Sequence, residues 1–193
     1  MSCIDLGRTT ERPYRLMIKL KYKNISLIEY TASDINSTLL KRYQLWMKSS
    51  KINKFLIKKE SDKKSLKNFL EKMIESKKDI FFKIIFKKTH IGNLRLVISD
   101  YKTAGFGIMI GNYKFHNKKI GKICLYIILK YIFSKLKMNK IVLDVAIENL
   151  PALKLYKKFL MKENKKGKYI YFSMTKKIFF TKIHKKLGKL INL

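Results

Sequence analysis

Between Gly105 and Lys122 the chain reads GFGIMIGNYKFHNKKIGK, the stretch whose residue types could do chemistry. An apolar strand ends, a short polar loop follows, and a long apolar helix begins. The first N–H groups of a helix have no intrahelical acceptors, and the macrodipole is positive there. Such a terminus takes phosphate. Gly121 permits a close backbone approach, and Lys118, Lys119 and Lys122 add charge-assisted donors. Gly121 would equally suit close packing of helix on sheet, so the residues alone leave both readings open. His90, His116 and His184 have no metal-ligand spacing. Cys3 and Cys124 form neither a metal motif nor a disulfide framework, and Cys124, in an apolar helix, reads as a small buried hydrophobe. No metal is expected.

The elements that must position this loop can be read from periodicity. Residues 1–14 are polar and aperiodic, a flexible extension. Leu16 to Tyr30 reads as two short strands around Lys23 and Asn24. Ser33 or Asp34 can cap a helix from Ile35 to Met47, and Ser61 to Ser76 is a second helix with Leu66, Phe69, Leu70 and Met73 on one face. Strands follow at Asp79–Phe86, Ile91–Ser99 and Thr103–Gly111, spaced as an antiparallel meander. Gly121 to Leu136 is apolar almost all round, as in a helix buried within a domain. Lys140–Ile147 is a strand, Asn149 caps a helix with Pro151 in its first turn, and Lys168–Met174 is a last strand. The strand–helix–strand unit around Gly121 implies a locally parallel pair. The fold class is therefore α/β: a mixed, mostly antiparallel sheet with helices on both faces. One domain over residues 15–175 carries it, and residues 176–193 form a basic amphipathic helix.

Composition bounds the function. The 193 residues are 47% hydrophobic and 30% charged, enough apolar content to bury a core. The net charge of +32 favours anionic partners: nucleic acid, anionic membrane, or phosphorylated small molecules. The basic residues are mostly Lys, spread along the whole chain and accompanied by Ile, Asn, Phe and Tyr, a bias that drift toward AT-rich codons also produces. The N-terminus lacks an apolar signal segment, and Ile123–Phe133 is too short to span a bilayer. A cytoplasmic protein is expected, monomer or homodimer.

Several pieces, in order, resemble the GNAT superfamily of N-acetyltransferases, and most closely its branch of ribosomal-protein-alanine and related small-molecule N-acetyltransferases, over Ile25 to Lys176. Leu45–Leu56 (LWMKSSKINKFL) is similar to that branch's early tryptophan segment. His90–Leu96 (HIGNLRL) is similar to its isoleucine-glycine-asparagine strand. Gly105–Asn112 resembles the strand that pairs with the pantetheine arm of CoA, His116–Lys122 the pyrophosphate loop, and Asn149–Lys158 the Asn-x-x-Ala-x-x-x-Tyr helix. The resemblance implies direct acetyl transfer from acetyl-CoA to a primary amine. Ile108, Met109, Ile110, His116, Asn117, Lys118, Lys119, Ile120, Gly121, Lys122, Asn149, Ala152 and Tyr156 would then contact the cofactor. A backbone N–H near Met109 would polarise the thioester carbonyl, and Tyr156 would be the acid for the leaving thiolate. Trp46, His90 and Glu148 are candidates for the acceptor site.

The sequence also departs from that pattern. Gly105 stands where relatives carry a glutamate base, leaving Glu148, Asp144 and Asp100 as substitutes. Lys119 and Leu160 stand where relatives have glycine, and His116 where they have Gln or Arg. A left-handed backbone at Lys119 would cost about 1 kcal/mol or more. Apart from the resemblance, Tyr156 could be a core tyrosine and Asn149 only a helix cap. The expected acceptor is an amino sugar, nucleotide-linked or free. The N-terminus of a ribosomal protein is an alternative, and a non-catalytic basic module that binds nucleic acid or ribosomes is the rival of another class. The tail from Lys176 docks on its own domain or a partner, lies on an anionic membrane surface, or is disordered.

Overall fold

The computed structural model describes residues 17–53, 62–99 and 102–185. Strands β1 (Lys19–Tyr22) and β2 (Ile25–Glu29) form a hairpin. Helices α1 (Ser37–Lys48), α2 (Ser50–Asn53) and α3 (Lys63–Glu75) follow. Next come β3 (Asp79–Phe86), β4 (Thr89–Ser99) and β5 (Thr103–Ile110). Helix α4 (Ile120–Ser134), strand β6 (Lys140–Ala146) and helix α5 (Leu150–Lys158) come next. Strands β7 (Lys162–Lys166) and β8 (Tyr169–Thr175) close the sheet, and α6 begins at Lys176–Ile178 and widens into a π-turn over Phe179–His184. The eight strands run in the order β1-β2-β3-β4-β5-β6-β8-β7. Every neighbouring pair is antiparallel except β5 and β6. The mixed α/β sheet predicted from periodicity is the sheet observed.

Two clusters of buried side chains flank it. On one face α4 packs on the sheet, with Ile91, Leu94, Leu96, Phe106, Leu143, Tyr156 and Phe172 in the same core. On the other, α1 and α3 bring Leu39, Tyr43, Trp46, Leu66 and Leu70 against Tyr30 and Phe81, with Met109 at the margin. Alternation along β5 separates the two faces: Ala104, Phe106, Ile108 and Ile110 join the first cluster and Met109 the second.

Helix α4 is apolar all round because it is covered twice. Its inner side lies on the sheet, and its outer side carries the docked tail. Phe179 is fully buried, with ring centroids 5.3 Å from Phe133 and 6.0 Å from Tyr126. His184 Nδ1 lies 2.8 Å from the Tyr126 hydroxyl. Within residues 176–185, Phe179 and Ile183 are spent on the domain's own core, with Ile178 and Phe180 partly buried against it. Leu187 and Leu190, also expected on the tail's apolar face, lie outside the described residues, as do residues 1–14 and Asp100. Among the described residues no helix is long and apolar enough to cross a membrane, and no group of three His, Cys, Asp or Glu could hold a metal ion.

Three details differ from the sequence reading. Asn36, not Ser33 or Asp34, caps α1, accepting from the Leu39 N–H at 2.9 Å. Asp34 is engaged instead by the Thr31 N–H and Lys83, so the chain makes a short turn over Ala32–Asp34 before the helix starts. Strand β7, KENKK, went unread because all five residues are exposed and carry no apolar alternation. Its existence depends on pairing with β8 through a tight turn in which Gly167 has φ +59°.

Candidate active site

The parallel pair β5–β6 is short. Only Thr103↔Lys140 and Ala104↔Ile141 are in register, and beyond them the strands part. At Gly105 they are still close, since an added Cβ would lie 2.9 Å from the Val142 carbonyl oxygen. At Gly107 an added Cβ would meet nothing within 4 Å. The sheet thus opens along Gly107–Ile110.

Alternation fixes which main-chain groups face that opening. The Ile98 N–H donates to the Lys78 carbonyl, on the β3 side, so Val97, Arg95 and Asn93 turn theirs toward β5. Their partners are Gly105, Gly107 and Met109. The N–H and C=O groups of Phe106, Ile108 and Ile110 therefore turn away from β4, toward the gap. The Ile110 carbonyl accepts from His116 Nε2 at 2.7 Å. Of the three residues expected here, Met109 has its amide in the β4 ladder, and its neighbours Ile108 and Ile110 face the opening. His116 likewise ties the loop to the end of β5 through its Nε2.

At the mouth of the gap the loop turns into α4. Asn117 and Lys119 both adopt left-handed backbone, each with φ +59°. Lys119 is the N-cap residue and makes no side-chain cap bond, which leaves the first N–H groups, at Ile120, Gly121 and Lys122, open to a ligand. A Cβ on Gly121 would stand 3.6 Å from Leu155 of α5, an ordinary contact. Packing therefore leaves room for a Cβ there. Asn117, Lys118 and Lys119 are exposed, and Lys122 is half-buried.

Helix α5 places Tyr156. Asn149 caps its start, accepting from the Ala152 N–H at 3.3 Å. Its end is a Schellman motif: Met161 N–H to Tyr156 C=O at 3.4 Å and Leu160 N–H to Lys157 C=O at 2.9 Å. Leu160 holds the left-handed position, φ +54°, that glycine usually takes. The Tyr156 ring sits edge-on to Phe106 of β5, centroids 6.0 Å apart, and tilted on Phe172 of β8 at 5.4 Å. It thus bridges the two halves of the sheet across the gap. Burial pushes its phenol well above the usual range, so the hydroxyl keeps its proton at any physiological pH. Glu148 is exposed at the turn before α5, apart from the cluster that holds Trp46 and His90.

That cluster lies on the opposite face, beside the end of β5. The Trp46 ring meets His90 edge-on with centroids 5.1 Å apart. A Cβ on Gly111 would come within 2.2 Å of the Trp46 indole, so glycine is required there. His90 hydrogen-bonds Tyr30, Asn93, the Gly92 carbonyl and Arg42. Desolvation outweighs the opposing hydrogen bond to Asn93 and, with the Arg42 charge, holds its pKa down to about 4, so the ring is neutral. Arg42, Tyr30, Tyr43 and Asn93 escaped the sequence reading, because nothing local links positions 30, 42, 43, 90 and 93. Asp79 is buried in a bidentate pair with Arg95, at 3.0 and 3.1 Å. Asp144, exposed on β6, is level with Gly107 if the register of Ala104 and Ile141 is continued.

Comparison with known proteins agrees with this architecture. The model of an acetyltransferase (GNAT) domain matches residues 24–162. The acetyltransferase PseH of Campylobacter jejuni is 29% identical over 140 residues, covering 72% of this chain and 82% of that protein. Among solved structures, an acetyltransferase (GNAT family) from Bacillus anthracis superposes with a TM-score of 0.71 at 17% identity, covering 83% of this chain and 99% of that one. The spermidine N-acetyltransferase of Vibrio cholerae, in complex with CoA and spermine, gives 0.69 at 20% identity, covering 82% and 99%. A parted sheet, an uncapped basic helix start and a family model spanning most of the chain converge: this protein belongs to the GNAT acetyltransferase family.

Proposed function

We propose that this chain moves the acetyl group of acetyl-CoA directly to the primary amine of an amino sugar, free or, as an anionic acceptor, nucleotide-linked. The parting of β5 from β6, with Tyr156 lodged across it, carries the reading. The residues fit the cofactor. The free edge of β5 at Phe106, Ile108 and Ile110 suits an amide-bearing arm, and the open N–H groups at Ile120–Lys122 with Lys118, Lys119 and Lys122 suit a diphosphate. Acetyl-CoA supplies an activated thioester when bound there.

The chain's own groups then have separate tasks. An N–H of Ile108 or Ile110 donates to the carbonyl oxygen as negative charge develops on it. Tyr156 donates a hydrogen bond to the departing sulfur. Its raised pKa makes complete proton loss costly, so stabilisation of the thiolate is its larger part. Gly105 cannot host the base, since the nearby Val142 carbonyl leaves no room for a side chain. Asp144, exposed across the opening, relays the amine proton through water. Arg42, half-buried and with no carboxylate partner among the described residues, suits an anionic acceptor.

Isothermal titration with acetyl-CoA and a turnover screen test the reading. The screen covers amino sugars, nucleotide amino sugars, polyamines and peptide N-termini. Micromolar cofactor binding with turnover of an amino sugar is expected. Tight nonspecific DNA binding that survives a salt series, without cofactor binding, would replace the enzyme by a basic binding module. Turnover of peptide N-termini alone would move the acceptor to a ribosomal protein.

A further inference from the structure

The hydrogen bonds of the buried cluster on the Met109 face have a direction. Arg42 Nη1 lies 3.1 Å from His90 Nδ1. A guanidinium only donates, so Nδ1 accepts and the ring proton of neutral His90 sits on Nε2. That N–H reaches the Gly92 carbonyl at 2.9 Å and Asn93 Oδ1 at 3.0 Å. Tyr30 donates to the same Oδ1 at 2.8 Å, and the Tyr43 hydroxyl lies 3.2 Å from that of Tyr30. The orientation of the Asn93 amide follows. Turned over, its NH2 would face the His90 Nε2–H, donor against donor. Asn93 Nδ2 is thus directed away from the cluster, and it is buried without a hydrogen-bond partner. An unmet buried donor is costly, and native structures carry few without a reason.

Both ends of this cluster offer donors: Asn93 Nδ2 at one, the remaining guanidinium N–H groups of Arg42 at the other. Asn93 stands directly opposite Met109 on the β4–β5 ladder, its side chain on the same face. It is one residue across from the main chain of Ile108 and Ile110 that faces the opening. Met109 is half-buried, unbranched and adaptable.

We propose that Asn93 is a specificity-determining residue for the acceptor, its Nδ2 donating to an oxygen that the substrate carries beside its amine. The inference rests on the acetyl-transfer reading above. A hydroxyl or carbonyl oxygen satisfies the waiting donor. A polyamine brings only donors, leaves Asn93 unmet, and adds positive charge beside Arg42. A site built to hydrogen-bond a substrate oxygen rejects the analogue that lacks it far more strongly than an apolar pocket could.

The test compares kcat/KM of the full chain for three acceptors. These are a nucleotide-linked amino sugar, the same compound lacking the hydroxyl next to its amine, and spermidine. The expected order is a loss of at least tenfold for the deoxy compound and a hundredfold for spermidine. Asn93→Asp keeps an oxygen for Tyr30 and His90 while removing the donor. In that variant the preference for the sugar over the other two should shrink at least tenfold, with the KM for acetyl-CoA unchanged. A wild type that treats the deoxy compound as well as the parent, or prefers spermidine, overturns the assignment while leaving the acetyltransferase reading standing. So does an Asn93→Asp enzyme that loses the same factor with every acceptor, the mark of a merely structural role. Should that variant fail to fold, the wild-type analogue series decides. No binding of acetyl-CoA by calorimetry would instead sink the reading itself and this inference with it.

Discussion

Lys119→Gly should make the protein more stable, and the size of the gain can be worked out. Lys119 holds φ +59° and ψ 5° at the N-cap of α4, an exposed position with no cap bond. A left-handed backbone costs an L-residue about 1–2 kcal/mol, which glycine avoids. Glycine gives back about 0.5–1 kcal/mol through its freer unfolded chain. Removing a cation from the positive end of the helix returns about 0.3 kcal/mol at an exposed site. Glycine is also an accepted N-cap residue. The net is close to 1 kcal/mol, a rise in melting temperature of about 2–4 °C for a chain of this size. Thermal unfolding by circular dichroism reads it. Lys119→Ala is the control: it removes the charge but keeps the left-handed strain, so its gain should stay below about 0.5 kcal/mol. A glycine variant no more stable than the alanine variant would refute the assignment of strain to this backbone.

Other outcomes follow from the same geometry. Tyr156→Phe should lower kcat at least tenfold while leaving acetyl-CoA affinity nearly intact, because the ring keeps its packing on Phe106 and Phe172; equal turnover would remove the acid role. Gly121→Val should weaken acetyl-CoA binding at least fivefold in calorimetry with little change in melting, since the site has room for a Cβ beside Leu155. Unchanged affinity would argue against a diphosphate at the start of α4. His90 has a depressed pKa, about 4 against 6.5 unfolded, so the unfolded chain binds the proton first. Stability from this group is whole above the unfolded value and is lost as pH falls toward 4, by on the order of 3 kcal/mol. His90→Gln should therefore lose less melting temperature than the parent on acidification from neutral pH, and parallel curves would contradict it. Phe179→Ala should cost about 3–5 kcal/mol in denaturant unfolding, because its ring is fully buried against Phe133 and Tyr126; a loss under about 1 kcal/mol, the range of exposed sites, would mean the tail is not part of the core.

By itself the sequence determined what local periodicity and a few special residues can encode. The β3–β4–β5 meander, the all-round apolar α4 and the Asn149-capped helix stand where their patterns predict, because apolar spacing is set by which face each element buries. The basic, polar loop before α4 was legible, since such a run at a helix start is a local feature. The pieces of the family pattern could likewise be read in order, as each is a short run of residues. Strand β7 was not legible, because it has no buried face and exists only through pairing with β8. The start of α1 was misjudged by a few residues because Asp34 is claimed by Lys83, far along the chain. Tertiary structure alone decided the opening between β5 and β6, which is a divergence of two strands and has no residue of its own. It also decided which backbone amides face that opening, since a ladder's alternation depends on its register. The Tyr30–Tyr43–His90–Asn93 cluster is of the same kind. Its members are far apart in sequence, and only the packing of α1 on the sheet puts their hydrogen-bonding atoms within 3.2 Å of one another and leaves one amide with nothing to hold.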